Sequence, residues 1–298
     1  MSSIQNVGVR FYPPPADLNP YFTTFYVIDF DPGDAAALCD ALQPEWGGLR
    51  FFSDHGPEAW IEGGPRLHDA KFFVNGPTSC PIHFEMPRTR MWGIGLLPLG
   101  WAKFVRQPAA DFANMIYDGA AEPRLAGFVP LANTVFGARR DEAAELDRIS
   151  GFFRALPAAA PVDENRILAV HGAMVDEQLT SVSQLVARVA ASQRTVERIC
   201  ARHFGFSPKL LLRRQRFMRS LSQFMLDPSL KWIGAMDCHY HDQAQFVRDF
   251  REFMGVSPRA YAAIPHPILG PIMQERSRVY GAAVQTLDRP EQSDPKAA

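Results

Sequence analysis

Ser192–Leu212, SQRTVERICARHFGFSPKLLL, returns fifty residues later as Asp242–Ala262, DQAQFVRDFREFMGVSPRAYA. Gln193 aligns with Gln243, Val196 with Phe246, Arg198 with Arg248 and Phe204 with Met254. Gly205 aligns with Gly255, Ser207 with Ser257 and Pro208 with Pro258. A period of that size marks a duplicated supersecondary unit. Each copy opens on a capping residue, Ser192 or Asp242, whose side-chain oxygen can accept from the unpaired N–H groups of a first helical turn. Apolar residues then recur at helical spacing: Val196, Ile199 and Cys200 in one copy, Phe246, Phe250 and Phe253 in the other. Each helix closes on a glycine, suited to the left-handed residue that ends a helix, and the chain restarts at Ser-Pro, an N-cap followed by proline at the first helical position. The repeat predicts two short helical units in one domain, each exposing an arginine on its second helix, an arrangement that suits two major-groove contacts.

The second copy carries a more specific pattern. It reads His239-Tyr240-His241-Asp242-Gln243-Ala244-Gln245-Phe246-Val247-Arg248-Asp249-Phe250, then Gly255-Val256-Ser257-Pro258. This resembles the AraC/XylS transcriptional regulators, whose signature there is Gly-Tyr/Phe-x-Asp-Gln-x-His-Phe-x-Arg-x-Phe followed by Gly-x-x-Pro. The resemblance covers roughly residues 161–263 and implies a domain of about 100 residues with two helix-turn-helix motifs. Three residues depart from the pattern: His239 stands for the usual turn glycine, Gln245 for histidine, and Gly234 for an aliphatic residue in the preceding helix.

Charge distribution agrees with that reading. The chain of 298 residues has a formal net charge of −1. Residues 1–160 hold 13 basic and 18 acidic side chains, residues 161–264 hold 14 and 10, and residues 265–298 hold 4 and 4. Within Ser183–Arg219 the basic residues are Arg188, Arg194, Arg198, Arg202, Lys209, Arg213, Arg214, Arg216 and Arg219, with Glu197 the lone acid. A stripe of that kind is the electrostatic footprint of a phosphate-facing surface. No apolar run reaches the roughly 20 residues of a membrane span. The start of the chain lacks the apolar core of a secretory signal. A cytoplasmic protein is expected. Cys39, Cys80, Cys200 and Cys238 form no Cys-x-x-Cys pair, and Cys200 and Cys238 read as small core residues.

The expected fold class is α+β: a β-rich N-terminal barrel, cupin-like by the family resemblance, followed by an all-α domain. Short aromatic strands are predicted at Thr23–Asp29, Gly48–Ser53, Glu58–Glu62, Ala70–Asn75, Ile82–Met86 and Met91–Leu97, separated by Gly, Pro, Asn and Asp clusters. Ile82, Phe84 and Met86 alternate with His83 and Glu85, as in a half-buried antiparallel strand. Helices are expected at Arg140–Leu156, which covers the barrel or offers a dimer face, at Asp163–Gln178, at Pro208–Met225 and at Leu230–Met236. Ser181 and Gln184 form a capping box. Pro157–Pro161 reads as the linker. The domains are then 1–160 for sensing or oligomerisation, 161–264 for DNA and 265–298 as a tail with one helix, Pro271–Tyr280, and a loose polar end. A fragment ending near Ala160 is expected to fold by itself.

In the first unit the outward residues are Gln193, Arg194, Glu197, Arg198 and Arg202, and family correspondence assigns most base contacts to Arg194, Glu197 and Arg198. Arginine can chelate guanine and glutamate can accept from cytosine. In the second unit they are Gln243, Ala244, Val247, Arg248 and Arg251, a set that reads less sequence and leans more on phosphates. Arg213 and Arg214 are expected phosphate contacts. Salt bridges are the competing role for Arg198 and for Arg248, the latter to Asp249 or Glu252. The partners implied are double-stranded DNA, a small-molecule effector in the N-terminal domain, a second copy of the chain and, for an activator, RNA polymerase. No membrane partner and no cofactor are expected. Enzymatic chemistry has little support: there is no His-Glu-x-x-His spacing, no Gly-x-Ser-x-Gly elbow and no phosphate-cradling glycine loop. His55, His68 and His83 with Glu58 or Glu62 are the remaining pocket candidates. The competing reading is an interaction or ligand-binding protein whose helical domain no longer reads DNA, motivated by His239, Gly234 and Gln245.

Overall fold

The alternation at Ile82–Met86 becomes an antiparallel strand whose apolar side chains are buried and whose polar ones are half-buried. The computed structural model describes residues 6–157 and 160–290, and this strand is the eighth of ten. They are β1 (Asn6–Tyr12), β2 (Phe22–Asp31), β3 (Ala37–Leu42), β4 (Gly48–Phe52), β5 (Glu58–Trp60), β6 (Arg66–Leu67), β7 (Phe72–Asn75), β8 (Ile82–Pro87), β9 (Thr89–Leu96) and β10 (Ile116–Asp118). They pair antiparallel in two sheets, ordered β1-β2-β9-β4-β7-β10 and β3-β8-β5-β6. The β-rich expectation holds, as two sheets that do not close on each other. Sequence patterning finds six of these strands. It misses β1, whose Val7, Val9 and Phe11 alternate with Gly8 and Arg10, and β3, β6 and β10, of which β3 has no clean apolar alternation and the others are only two or three residues long.

The short helix α1 (Pro98–Gly100) falls between β9 and β10, and α2 (Val129–Thr134) and α3 (Glu142–Ala155) follow β10. Asp141 caps α3 by accepting from the Ala144 N–H. Ile149 and Phe153 on α3 are buried in the core of the six-stranded sheet. The other ties are polar. Glu142 accepts from Arg10 and from the Tyr12 hydroxyl, and buried Glu145 accepts from the Trp92 Nε1–H at 2.6 Å and from Arg90. This helix covers the sheet.

The C-terminal half is helical: α4 (Glu164–Met174), α5 (Val182–Val189), α6 (Gln193–Ile199), which continues as a π-helical stretch to Phe204, α7 (Pro208–Leu226), α8 (Lys231–Ala235), α9 (Gln243–Met254), α10 (Pro258–Ala262) and α11 (Leu269–Tyr280). The capping box at Ser181 and Gln184 forms in both directions. Both repeat copies end on a left-handed glycine, Gly205 at φ +84 and Gly255 at φ +71. Both restart with Ser207 or Ser257 capping a Pro-led helix. Cys200 is buried as expected, but Cys238 lies exposed in the turn before α9.

Packing crosses the division drawn along the sequence. Trp46, Leu97 and Leu99 of the N-terminal half share one core with Leu185, Val196, Phe204 and Leu211 of the first helical unit. Gly205 lies against Pro77, where an added Cβ would come within 2.5 Å of the proline ring. Residues 265–290 also return to the sheets instead of trailing away. Asp40 on β3, its side chain almost wholly buried, accepts from the Ile268 and Leu269 N–H groups at 2.9 and 2.8 Å and meets His266 Nδ1 at 2.9 Å. A carboxylate at the first turn of α11 satisfies unpaired amides there and matches the helix dipole. Part of the expected linker, residues 158–159, and the expected loose end, 291–298, lie outside the described residues. Among the described residues no helix is long and apolar enough to cross a membrane.

Candidate nucleic-acid interface

Each unit places a capped helix with one buried and one outward face. Ser192 accepts from the Thr195 N–H, and Asp242 from the Gln245 N–H. Val196 and Ile199 point into the first unit's core, and Phe246, Phe250 and Phe253 into the second's. Gln193, Arg194, Glu197, Arg198 and Arg202 are exposed, as are Gln243, Ala244, Arg248 and Arg251, with Val247 half-buried. The two outward sets therefore sit on solvent-facing stripes. Gln193 already donates to Glu197 at 2.9 Å, one turn along, which fixes the two side chains relative to each other.

The basic residues divide into two groups. Arg194, Arg202, Lys209, Arg248 and Arg251 make no ion pair among the described residues, and all are exposed. The other group is committed to the fold. Arg213 binds Asp249 at 2.5 Å and Glu252 at 2.5 Å, Arg216 binds Asp249 at 3.0 Å, and Arg219 binds Asp237 at 2.5 Å. Asp249 is buried and also accepts from the Tyr240 hydroxyl at 3.1 Å. A buried carboxylate needs such partners to offset its lost hydration. The two acids weighed as alternative partners of Arg248 are thus taken by Arg213, which reaches them from α7. Its two carboxylate partners push the Arg213 guanidinium pKa up.

Arg214 is the clearest departure from expectation. A residue expected on phosphates is fully buried, its guanidinium 4.0 Å over the Trp46 ring and donating to the Thr78 carbonyl at 2.8 Å. Its position on α7 faces the N-terminal half, so it cannot meet DNA in this arrangement. Arg198 is exposed but held. Its two terminal nitrogens donate to Asp163 at 3.0 and 3.2 Å. Asp163 stands at the N-cap position of α4 yet makes no side-chain cap bond there, because its carboxylate turns to Arg198. Arg198 holds the Asp163 carboxyl down at about 2. Of the two salt bridges weighed, the one for Arg198 forms, to Asp163, and the one for Arg248 does not appear among the described residues.

The three departures from the family pattern have local explanations. Gln245 places its side-chain carbonyl to accept from the His241 N–H at 3.1 Å, one residue before the N-cap Asp242 of α9. His239 keeps a negative φ, so its turn does not require glycine, and its N–H donates to Asp237 at 2.9 Å. Gly234 has room for a side chain: an added Cβ would meet only Leu230, at 3.4 Å. Ligand atoms of Asp237, Cys238 and His239 lie within 4.8 Å of one another, but Arg219 already occupies the Asp237 carboxylate. This cluster was not found from sequence, because only the turn brings the three side chains together. The histidine pocket candidates do not converge. His55 pairs with Asp69 and His68 with Glu58 at exposed positions, and His83 stacks on Trp60.

A helix-turn-helix domain family matches residues 185–264. Those residues are an AraC-type helix-turn-helix domain. Such a domain is the DNA-binding part of a transcription regulator. Solved structures with a similar arrangement include ToxT from Vibrio cholerae (P21 form), with 10% identity over 88% of this chain and 98% of that one, at a TM-score of 0.43. A second is unsaturated fatty acid bound wild-type ToxT from Vibrio cholerae strain SCE256, with 9% identity over 88% and 96% and a TM-score of 0.41. A third is the AraC-like transcriptional activator CuxR, with 11% identity over 72% and 86% and a TM-score of 0.28. No curated protein matches the chain. The AraC-type domain starts within α5 and ends just past α10, so both capped helices, α6 and α9, fall inside it.

Proposed function

We propose that this transcription regulator lays α6 and α9 in successive major grooves on one face of double-stranded DNA and answers to a small molecule held in its N-terminal half. The observation that carries the DNA reading is the pair of capped helices, each bearing outward cations without an ion pair among the described residues: Arg194 and Arg202 on the first, Arg248 and Arg251 on the second. The connecting helix α7 has 19 residues, about 28 Å at 1.5 Å per residue, which is close to the 34–36 Å between successive major grooves. Base choice is carried by Arg194, Glu197, Arg198 and Gln243, because guanine, cytosine and adenine edges pair with those side chains. Ala244 and Val247 offer only methyl contacts. The effector reading is supported by an apolar cavity of about 120 Å³ between the two sheets and the C-terminal segment.

The test is fluorescence anisotropy of the full chain on a duplex selected from a random pool, at several salt concentrations. The expected result is a specific complex whose log affinity falls with log salt at a slope of about −3 to −5, one counterion released per neutralised phosphate. Arg248→Ala should make that slope shallower by about 1. Equal affinity for selected and random duplexes would remove the sequence-specific reading and favour an interaction protein instead.

A further inference from the structure

We infer that the C-terminal segment after the second helix-turn-helix unit is the closing wall of the N-terminal cavity, and that the cavity takes a small, uncharged, mainly apolar molecule with one hydrogen-bond donor. The inference rests on the effector reading above and specifies its ligand and its route to DNA.

The cavity lies between the sheets, with Ile28, Phe73, Phe84 and Met91 on its floor and sides. Its remaining wall comes from Ile268, Leu269, Ile272, Met273 and Val284, all C-terminal to the helix-turn-helix domain. Gly93 on β9 makes room for the Tyr26 ring at this site, since a Cβ there would lie 2.0 Å from the ring. The volume of about 120 Å³ is near the roughly 150 Å³ of an engineered apolar cavity that admits benzene.

Charge argues for a neutral occupant. The two cations that line the cavity are already paired. Arg50 donates to Glu45 at 2.6 Å, to Asn75 at 2.5 Å and to Tyr26 at 3.1 Å. Arg276 donates to Asp288 at 2.5 Å and to the Ala282 carbonyl at 2.5 Å. Gln285 Nε2 takes the second oxygen of Glu45 at 2.6 Å. A ligand carboxylate entering here would have to break one of these buried pairs, which costs more than it returns. One acceptor stays open. Gln43 is 5% exposed and lines the cavity. Its Nε2 donates to the Tyr261 hydroxyl at 3.2 Å, while its Oε1 has no partner among the described residues. A buried amide oxygen without a partner favours a ligand that donates to it.

Gln43 also links the cavity to DNA. Tyr261 belongs to α10, directly after the second recognition helix, and its ring packs on Phe250 of that helix at 5.5 Å. An occupant that rearranges Gln43 therefore acts on the support of α9.

The test uses the full chain without DNA, titrated calorimetrically with phenol, toluene and benzoate. Phenol should bind, with benzoate at least tenfold weaker. Gln43→Met should bring phenol about 3–10-fold down toward toluene, the share of one hydrogen bond. Ile272→Phe, which fills the cavity from the C-terminal wall, should abolish phenol binding without lowering the melting temperature. Phenol should shift affinity for the selected duplex in wild type, while Tyr261→Phe should bind phenol but lose that shift. Benzoate binding tighter than phenol overturns the neutral ligand, and unchanged phenol binding in Ile272→Phe overturns the wall. A shift retained in Tyr261→Phe overturns the link. No probe binding, in a chain that still recognises its duplex, overturns the inference and leaves the DNA reading standing. Failure to recognise any duplex, with phenol bound as expected, does the reverse.

Discussion

Arg214 on α7 stacks its guanidinium 4.0 Å over the ring of Trp46, on the loop that leads into β4. One of the nine basic residues of the Ser183–Arg219 stripe therefore joins the two halves of the chain. Two of its nitrogens, Nε and Nη2, have no partner among the described residues, and burial pulls its pKa down, although a guanidinium stays charged. Arg214→Met should leave the salt slope of DNA binding unchanged, because no phosphate contact is lost. Stability should change by about 1 kcal/mol or less, since exchanging a buried charge for an apolar side chain of similar length is often near neutral. A slope shallower by one in this variant would return Arg214 to the DNA.

Arg213 has a different fate from the one its place in the stripe suggests. Arg213→Ala should cost about 1–3 kcal/mol of folding stability, because buried Asp249 loses one of its cations. Chemical denaturation reads this directly. A variant as stable as wild type, with DNA binding weakened equally on all sequences, would make Arg213 a phosphate contact after all.

Arg198 pairs with Asp163, and the proposed base contact would compete with that pair. Arg198→Ala should weaken the selected duplex by about 1–3 kcal/mol and relax one base position. Asp163→Asn should do the opposite and strengthen binding up to about fivefold. It releases an ion pair whose arginine is half exposed, worth roughly 1 kcal/mol or less. If Asp163→Asn binds more weakly, the pair orients Arg198 for its base and does not compete with it.

Acid should loosen the joint between the halves. His171 is buried beside Trp46 and Phe204, with ring centroids 5.9 and 6.2 Å away. Burial pulls its pKa from 6.5 down to about 4. The folded state thus favours the neutral ring. The stabilisation is complete above pH 6.5 and is lost as pH falls toward 4, to a maximum of about 3 kcal/mol. Melting temperature measured across that window should fall in wild type and fall much less in His171→Gln.

Gly234 in α8 offers a gain. An added methyl meets Leu230 at ordinary contact distance, and alanine is about 1 kcal/mol better than glycine inside a helix. Gly234→Ala should raise the melting temperature with DNA affinity unchanged. A lower melting temperature would mean that α8 needs the backbone freedom of glycine.

The sequence by itself determined the repeat, its caps and its closing glycines, because those are local: a cap binds amides two or three residues away, and a left-handed turn needs only its own residue. It also fixed which residues of α6 and α9 face outward, since helical period alone sorts Val196 from Arg194 and Phe246 from Arg248. Alternation exposed the face of β8 in the same way. Tertiary structure decided which cations remain free. Arg213, Arg214 and Arg216 lie on one helix, and their partners Asp249, Glu252, Trp46 and Thr78 are 33 to 168 residues away or on other elements, a distance no periodicity records. The same holds for the C-terminal segment. Its sequence reads as a helix and a tail, but Asp40 binds its Ile268 and Leu269 amides across 228 and 229 residues, and Gln215 binds the Thr286 carbonyl. The sheets leave an apolar cavity open on one side, and burial of Ile268, Leu269 and Met273 is what draws the tail there.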